Sequence, residues 1–295
     1  MIYAMSDIHG CARELRARLE QITLTGKDTL VFLGDYIDYG PSSGEVLRLI
    51  MDLQNKYGNA RVIALKGNHE DMFLSWLRDH RRKSNWKIGK YNNGKGNCTD
   101  TEGRTREKGG IKSVEEARFH NEDMAEALPF TDDSWFLNDR ENGYWVFKTL
   151  VKQETYLRFR LYARSASIQD ASHMAAAMIE NENRELLAWM RSLPLYYETK
   201  TWIFVHAGVE EAAEDLWKTG TPDEMFMWKY PPSTGAFCKT VIAGHVGTYS
   251  IAREPTFHDV YYDGASHYYI DGTVYNGGNL CLLSCDEETG ICHSL

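Results

Sequence analysis

The apolar run Arg61-Val62-Ile63-Ala64-Leu65 stops abruptly at Lys66-Gly67-Asn68-His69-Glu70, and this junction constrains the chain more than any other stretch. An apolar run of this length reads as a buried strand, and the Gly-Asn pair turns the chain away from it. Polar groups at the carboxyl end of an α/β strand stand where such folds keep their ligands. Taken alone, Asn-His-Glu is an ordinary start for the helix that runs from Asp71 to His80. The rest of the chain argues against so plain a reading. Two earlier runs end at Asp7-x-His9 and Gly34-Asp35, and two later ones end at His206 and His245. Strand ends therefore deliver Asp7, His9, Asp35, Asn68, His206 and His245.

The order of elements supports this. Ile2 to Ser6 reads as a strand and Cys11 to Gln21 as a helix with Ala12, Leu15 and Leu19 on one face. Thr29 to Leu33 is a second strand, followed by the Gly40-Pro41 turn. A helix to about Tyr57 comes next, with Ser42 or Ser43 as its cap. The resulting βαβαβα order predicts parallel strands with right-handed crossovers. Regular patterning returns at Met174 to Met190, read as one helix. Strands follow at Thr201–Val205 and Thr240–Ala243, and short β segments occupy the chain from Val260 onward.

The middle differs. Arg81 to Lys112 holds ten Lys/Arg against three Asp/Glu, a local +7 in a chain of net charge −9. A solvated loop is the expectation there, ahead of a patch for an anionic partner. Trp135 to Arg164 is rich in aromatics, and Tyr156 to Tyr162 alternates, so a hairpin is open there beside a helix. Residues of about 100–172 read as an insertion, or cap, within one domain spanning 1–295.

The acidic balance argues against general nucleic-acid binding. No apolar run nears the ~20 residues that cross a bilayer, and a first strand starting at Ile2 leads to the expectation of no leader peptide. The six cysteines lack zinc-type pairs and read as reduced thiols, which places the protein in the cytoplasm.

Carboxylate, imidazole and amide oxygen together suit divalent transition ions better than Ca²⁺. Six such groups exceed one zinc site and fit two ions sharing a carboxylate. Two ions ~3.5–4 Å apart clamp the attacking and leaving oxygens of a phosphoryl displacement, with a bridging water as nucleophile.

Asp7-x-His9-Gly10, Gly34-Asp35-x-x-Asp38, Gly67-Asn68-His69-Glu70, His206-Ala207-Gly208 and Gly244-His245 resemble the signatures of the metallophosphoesterase superfamily. Glu70 and the GDxxD spacing resemble its phosphoprotein phosphatase family, in the bacterial and phage-like branch. Ser192 to Tyr197 and Asp271 to Leu280 extend the likeness, which covers about 1–99 and 174–285. The resemblance implies an α/β fold: a metallophosphoesterase-type β-sandwich flanked by helices, with the inserted cap-like segment. It also implies two divalent cations, manganese first, with iron or zinc compatible. Asp7 and His9 would hold one ion, Asp35 would bridge, and Asn68, His206 and His245 would complete the second. His69 would be the acid for the leaving oxygen and Asp38 its partner, while Glu70 reads as structural.

The chain departs from the family where Arg is usual, at Tyr39 and at Tyr230. Tyr offers one neutral hydrogen bond where a guanidinium would grip a phosphate dianion by two. Tyr39, Tyr230, Lys66 and Asn68 are accordingly the candidate substrate contacts, with Lys66, Lys229 or a basic residue of the insertion as the compensating charge. The expected activity is a metal-dependent phosphatase on phosphomonoesters, of the Ser/Thr protein phosphatase kind. Its partner would be a phosphorylated protein or a small phosphoester, and not a membrane or a nucleic acid. A dinucleoside polyphosphate hydrolase or phosphodiesterase on the same site is the alternative. A non-catalytic phosphate sensor fits less well, because the whole inferred ligand set is present.

Overall fold

Alternation along the strands sorts their side chains into separate cores. In the computed structural model, which describes residues 1–81 and 143–295, β1 (Ile2–Met5) sends Ile2 and Ala4 to one side and Met5 to the other. β2 (Thr29–Phe32) likewise splits Val31 from Leu30 and Phe32. β5 (Trp202–Val205) sends Trp202 and Phe204 toward the core of Ile2 and Val31, and Ile203 and Val205 away from it. The shared core therefore lies between two sheets, and each outer face carries its own helical layer. Phe32 and Phe204 are fully buried, and burial of such a side chain contributes roughly 1.5–3 kcal/mol.

The first sheet has the order β10-β9-β1-β2-β3, where β3 is Val62–Ala64, β9 Leu283–Cys285 and β10 Cys292–Ser294. The second has the order β4-β5-β6-β8-β7, with β4 Tyr196–Glu198, β6 Thr240–Ala243, β7 Tyr261–Tyr262 and β8 His267–Tyr269. β1, β2 and β3 are mutually parallel, as are β5, β6 and β8. Parallel pairing places the carboxyl ends of β1, β2 and β3 at one edge, and those of β5 and β6 at one edge of the second sheet. This is the mixed α/β sandwich with flanking helices that the motif order implied.

Helices α1 (Ala12–Leu19), α2 (Ser43–Tyr57) and α3 (Asn68–Arg81) cover the outer face of the first sheet. Val46, Leu47 and Ile50 form the buried stripe of α2. Ser42 stands at its N-cap position, but its hydroxyl makes no capping hydrogen bond. No described helix is long and apolar enough to cross a membrane.

One open reading is decided and two need correction. Of the hairpin and the helix left open for Tyr156 to Tyr162, the chain takes the helix, Gln153–Ala163. Its buried residues, Tyr156, Phe159 and Ala163, recur at helical spacing, while Leu157 and Leu161 of the apparent alternation are exposed. Met174 to Met190 is not one helix but two, Ile168–Glu182 and Arg184–Arg191. At the break, the Asn183 amide donates to the Leu150 and Ile179 carbonyls, so the side chain competes with helical pairing. The cysteines are not all free thiols, because Cys285 and Cys292 form a disulfide. The β9–β10 hairpin sets them directly opposite each other, which their spacing alone did not signal.

The described part of the expected insertion shares the main core. Val146, Phe147 and Leu150 of the helix Gly143–Leu150, with Phe159 and Ala171, pack into the cluster containing Leu15, Ile50 and Phe73. Residues 100–142 of that segment, and nearly all of the basic stretch from Arg81 to Lys112, lie outside the described residues.

Candidate metal centre

The turns after β1, β2 and β6 are strained. Six of the nine described non-glycine residues with positive φ are Asp7, His9, Asp35, Asp38, Tyr39 and His245. Such conformations cost of order 1–3 kcal/mol each and gather where function requires a fixed geometry. Hydrogen bonds between the turns hold it. The Asp7 amide donates to the Gly34 carbonyl (3.1 Å), His9 N–H to Asp35 O (2.9 Å) and Gly10 N–H to Tyr36 O (2.8 Å). Gly67 permits close approach, since a Cβ there would collide with the Asp35 carboxylate.

Glu70 is the latch beneath these turns. Its fully buried carboxylate accepts from the backbone N–H groups of Asp35 (2.9 Å), Tyr36 (2.8 Å) and Gly67 (3.0 Å). It thus ties the turn after β2 to the turn after β3. The His69 amide adds a bond to Asp35 Oδ1 (3.0 Å), leaving Oδ2 for the centre of the site.

Around Asp35 Oδ2 stand three imidazole nitrogens: Nε2 of His206 at 3.4 Å, His9 at 3.6 Å and His69 at 3.9 Å. Asp7 Oδ1 lies 4.0 Å from His9 Nε2. On the other side, Asn68 Oδ1 is 2.8 Å from His206 Nε2 and 3.1 Å from His245 Nδ1. The His245 backbone N–H donates to the Asp7 carboxylate at 3.0 Å, joining the two halves. The structure thus brings together all six ligand-type residues, with His69 and Asp38 beside them.

The chemistry of this donor set suits cations. His9 Nδ1 and His206 Nδ1 face the carbonyls of Ile37 (2.7 Å) and Leu33 (3.0 Å), which can only accept. Both Nδ1 atoms therefore carry a proton and each Nε2 faces the centre, the usual outer arrangement of metal-binding histidine. Burial drives His9 down to about 3, with Asp35 only partly offsetting it, so His9 is neutral. Burial pushes Asp7 up to about 6, with His206 opposing and Asp35 reinforcing. Asp7 and Asp35 are both buried and Asp35 disfavours charge on Asp7, so the pair favours a cation between them.

His69 has the opposite character. Its Nδ1 meets Asp38 Oδ2 at 2.6 Å, and Asp38 is completely buried. Burial resists the charge, but Asp35 and the Asp38 hydrogen bond overcome it and raise the imidazole to about 10. Two histidine rings 4.8 Å apart thus differ: His9 is held neutral and His69 protonated. His206 shares the upward direction, since burial opposes its charge but Asp35 and Asp7 outweigh burial and raise it to about 9, so the Asp38 carboxylate on Nδ1 is what sets His69 apart.

The substrate candidates fare unevenly. Tyr39 is at the site, its ring 4.7 Å from His9 and 5.3 Å from His69. Tyr230 is 74% exposed, and among the described residues no hydrogen bond or ring contact ties it to the centre. Lys66 lines a separate cleft with Asp71, Arg78, Glu180 and Arg191. Lys229 does not supply a spare charge, because its ammonium is held by Val209 O (2.6 Å) and Glu211 (3.0 Å). Glu211 in turn faces His267 Nε2 (3.2 Å), whose Nδ1 faces Asp263 (3.0 Å). Burial works against charge on His267, but the two carboxylates outweigh it and raise its pKa. This chain of charges anchors the segment that presents Trp228, whose ring is 6.2 Å from His245.

Two contributors escaped sequence reasoning. Tyr275 stacks on Tyr39 with ring centroids 4.3 Å apart and lies 4.8 Å from the His9 ring. Asp271 accepts from Thr273 N–H (2.8 Å) and so shapes the turn before Tyr275. Both belong to the Asp271–Leu280 motif, but nothing in its spacing says which side chain reaches the site.

Residues 1–150 match the calcineurin-like phosphoesterase family. Over 69 residues the chain is 44% identical to the symmetrical bis(5'-nucleosyl)-tetraphosphatase of Proteus mirabilis, covering 23% of each protein. Over 74 residues it is 40% identical to serine/threonine-protein phosphatase 2 of Escherichia coli, covering 25% of this chain and 31% of that one. The chain thus matches less than a third of the length of these curated relatives. Among solved structures, the cold-active protein-tyrosine phosphatase of a psychrophilic Shewanella species aligns with all of this chain and 80% of its own, at 14% identity and a TM-score of 0.50. That likeness is one of fold.

Proposed function

The chain belongs to the calcineurin-like phosphoesterase family, and from that premise we propose that it is a hydrolase of phosphomonoesters dependent on two divalent cations. The observation that carries this reading is the convergence of three imidazole Nε2 atoms on Asp35 Oδ2, with Asp7, Asn68 and His245 completing the ring. Asp7 and His9 would hold one ion, Asn68, His206 and His245 the other, and Asp35 both. When bound, such a pair polarises the phosphoryl group and activates the attacking water.

The chain's own residues supply the rest. Glu70 and the His69 amide fix Asp35, so the central carboxylate needs no reorganisation during reaction. Carbonyls on Nδ1 hold His9 and His206 in the ligand tautomer. His69 gives its Nε2 proton to the leaving oxygen, and Asp38 on Nδ1 orients the ring and stabilises its charge.

A second reading, hydrolysis of nucleotide phosphoanhydrides or diesters, is favoured by Tyr39. An uncharged side chain beside His69 suits a phosphate of lower charge better than a dianion. The relatives include enzymes named for each kind of substrate.

Chelated protein should be inactive, and Mn²⁺ should restore hydrolysis, with iron or zinc tested beside it. The restored protein is to be assayed on p-nitrophenyl phosphate, its bis-ester, a phosphoserine peptide and a dinucleoside tetraphosphate. A monoester preference supports the first reading, and faster turnover of the bis-ester or tetraphosphate supports the second. Full activity in excess chelator would refute the metal-dependent account.

A further inference from the structure

We propose that the Tyr39–Tyr275 pair is a stacking platform that selects phosphoesters whose leaving group carries a flat aromatic ring, either a nucleobase or a phenyl group. The inference rests on the phosphoester-hydrolase reading with His69 as the leaving-group acid. The rings of Tyr39 and Tyr275 are stacked, 4.3 Å apart and 14° from parallel, and each stands edge-on to His9. Tyr39 also lies 5.3 Å from His69. A group leaving toward His69 therefore departs along this wall.

Packing alone does not account for the pair. Tyr39 holds a φ of 55°, a conformation that a bulky residue adopts only at a cost. Tyr275, the other half of the stack, is 38% exposed rather than buried. Tyr275, stacked on Tyr39 and open to solvent at a catalytic rim, can extend the stack onto a planar ligand. Such stacking strengthens binding by about 5- to 100-fold per ring.

The test uses two matched pairs of esters that differ in the ring but share a primary alcohol leaving group. Benzyl phosphate is compared with cyclohexylmethyl phosphate, and adenosine 5'-monophosphate with ribose 5-phosphate. With the Mn²⁺-loaded protein, kcat/KM should favour the aromatic member by about 5- to 100-fold, mostly through KM. Preference in the phenyl pair alone identifies an aryl group, and preference in the nucleoside pair alone a nucleobase. Calorimetry of all four compounds on metal-free protein gives a second readout, with the same preference expected in Kd. Tyr275→Phe should keep the preference and Tyr275→Leu should bring it toward one, with Tyr39→Leu as the alternative should that variant not fold. Hydrolysis that ignores the ring in both pairs overturns the platform and leaves the hydrolase reading intact. A preference that survives both Leu variants also overturns it. Absence of hydrolysis of all four esters, p-nitrophenyl phosphate and its bis-ester overturns the hydrolase reading, and calorimetry then decides the platform separately.

Discussion

Replacing His69 by Asn should slow hydrolysis of an alkyl phosphate by about 10²–10⁴-fold, the usual contribution of a general acid. An alkoxide is a poor leaving group and needs a proton as the bond to phosphorus breaks. A p-nitrophenolate departs without one, so p-nitrophenyl phosphate should lose far less. The structure supports so specific a loss, because His69 contributes more than one interaction. Its amide holds Asp35 Oδ1 at 3.0 Å, and its ring meets Asp38 at 2.6 Å. Asn retains the amide and with it the placement of Asp35, while removing the ring and its proton. The check is kcat on both esters for native and variant protein. Equal losses would mean that His69 helps to build the site and donates no proton.

Glu70→Gln should weaken Mn²⁺ binding by about 10–100-fold, the usual consequence of losing a group that orients metal ligands. Glu70 touches no ligand atom at the centre, so the effect must travel through the backbone. Its two oxygens accept three N–H bonds, from Asp35, Tyr36 and Gly67. A glutamine offers one oxygen and turns an N–H₂ toward the remaining donors. At least one buried N–H is then left without an acceptor, at a cost of about 1–3 kcal/mol. The same substitution should therefore lower the thermal midpoint of the metal-free protein. Calorimetric titration with Mn²⁺ and a melting curve test the two parts. Unchanged metal affinity with lowered stability would reduce Glu70 to a purely structural residue.

The parts of this protein that were legible in its sequence are those written locally. Apolar runs ending in Gly-Asp, Gly-Asn or Gly-His mark β2, β3 and β6, and runs ending directly at Asp7-x-His9 and His206 mark β1 and β5, together with the polar groups at their ends. Parallel pairing follows from the alternation with helices, and the sandwich from motif order. Asn68, His69 and Glu70 stand side by side, yet their tasks separate only in space. Asn68 faces His206 across 138 residues, and Glu70 reaches back 35 residues to Asp35.

What stayed hidden depends on such distant meetings. The helix Gln153–Ala163 alternates like a strand, and only the core formed with α2 and the helix Gly143–Leu150 decides which faces are buried. The break at Asn183 requires the Leu150 carbonyl, and the disulfide requires the β9–β10 hairpin. Lys229 reads as a spare cation until Glu211 and Val209 claim it. Tyr275 is one of several residues in its motif until the turn shaped by Asp271 lays it on Tyr39.

The central claim is that Asp7, His9, Asp35, Asn68, His206 and His245 form one site for two cations. Elemental analysis of chelated protein reloaded with saturating Mn²⁺ and freed of excess tests it most directly, read beside hydrolysis of p-nitrophenyl phosphate. The account predicts two ions per chain, with activity rising as the second is bound, and fewer than two in Asp35→Asn. One ion per chain with full activity, or two ions in Asp35→Asn with activity retained, would contradict it.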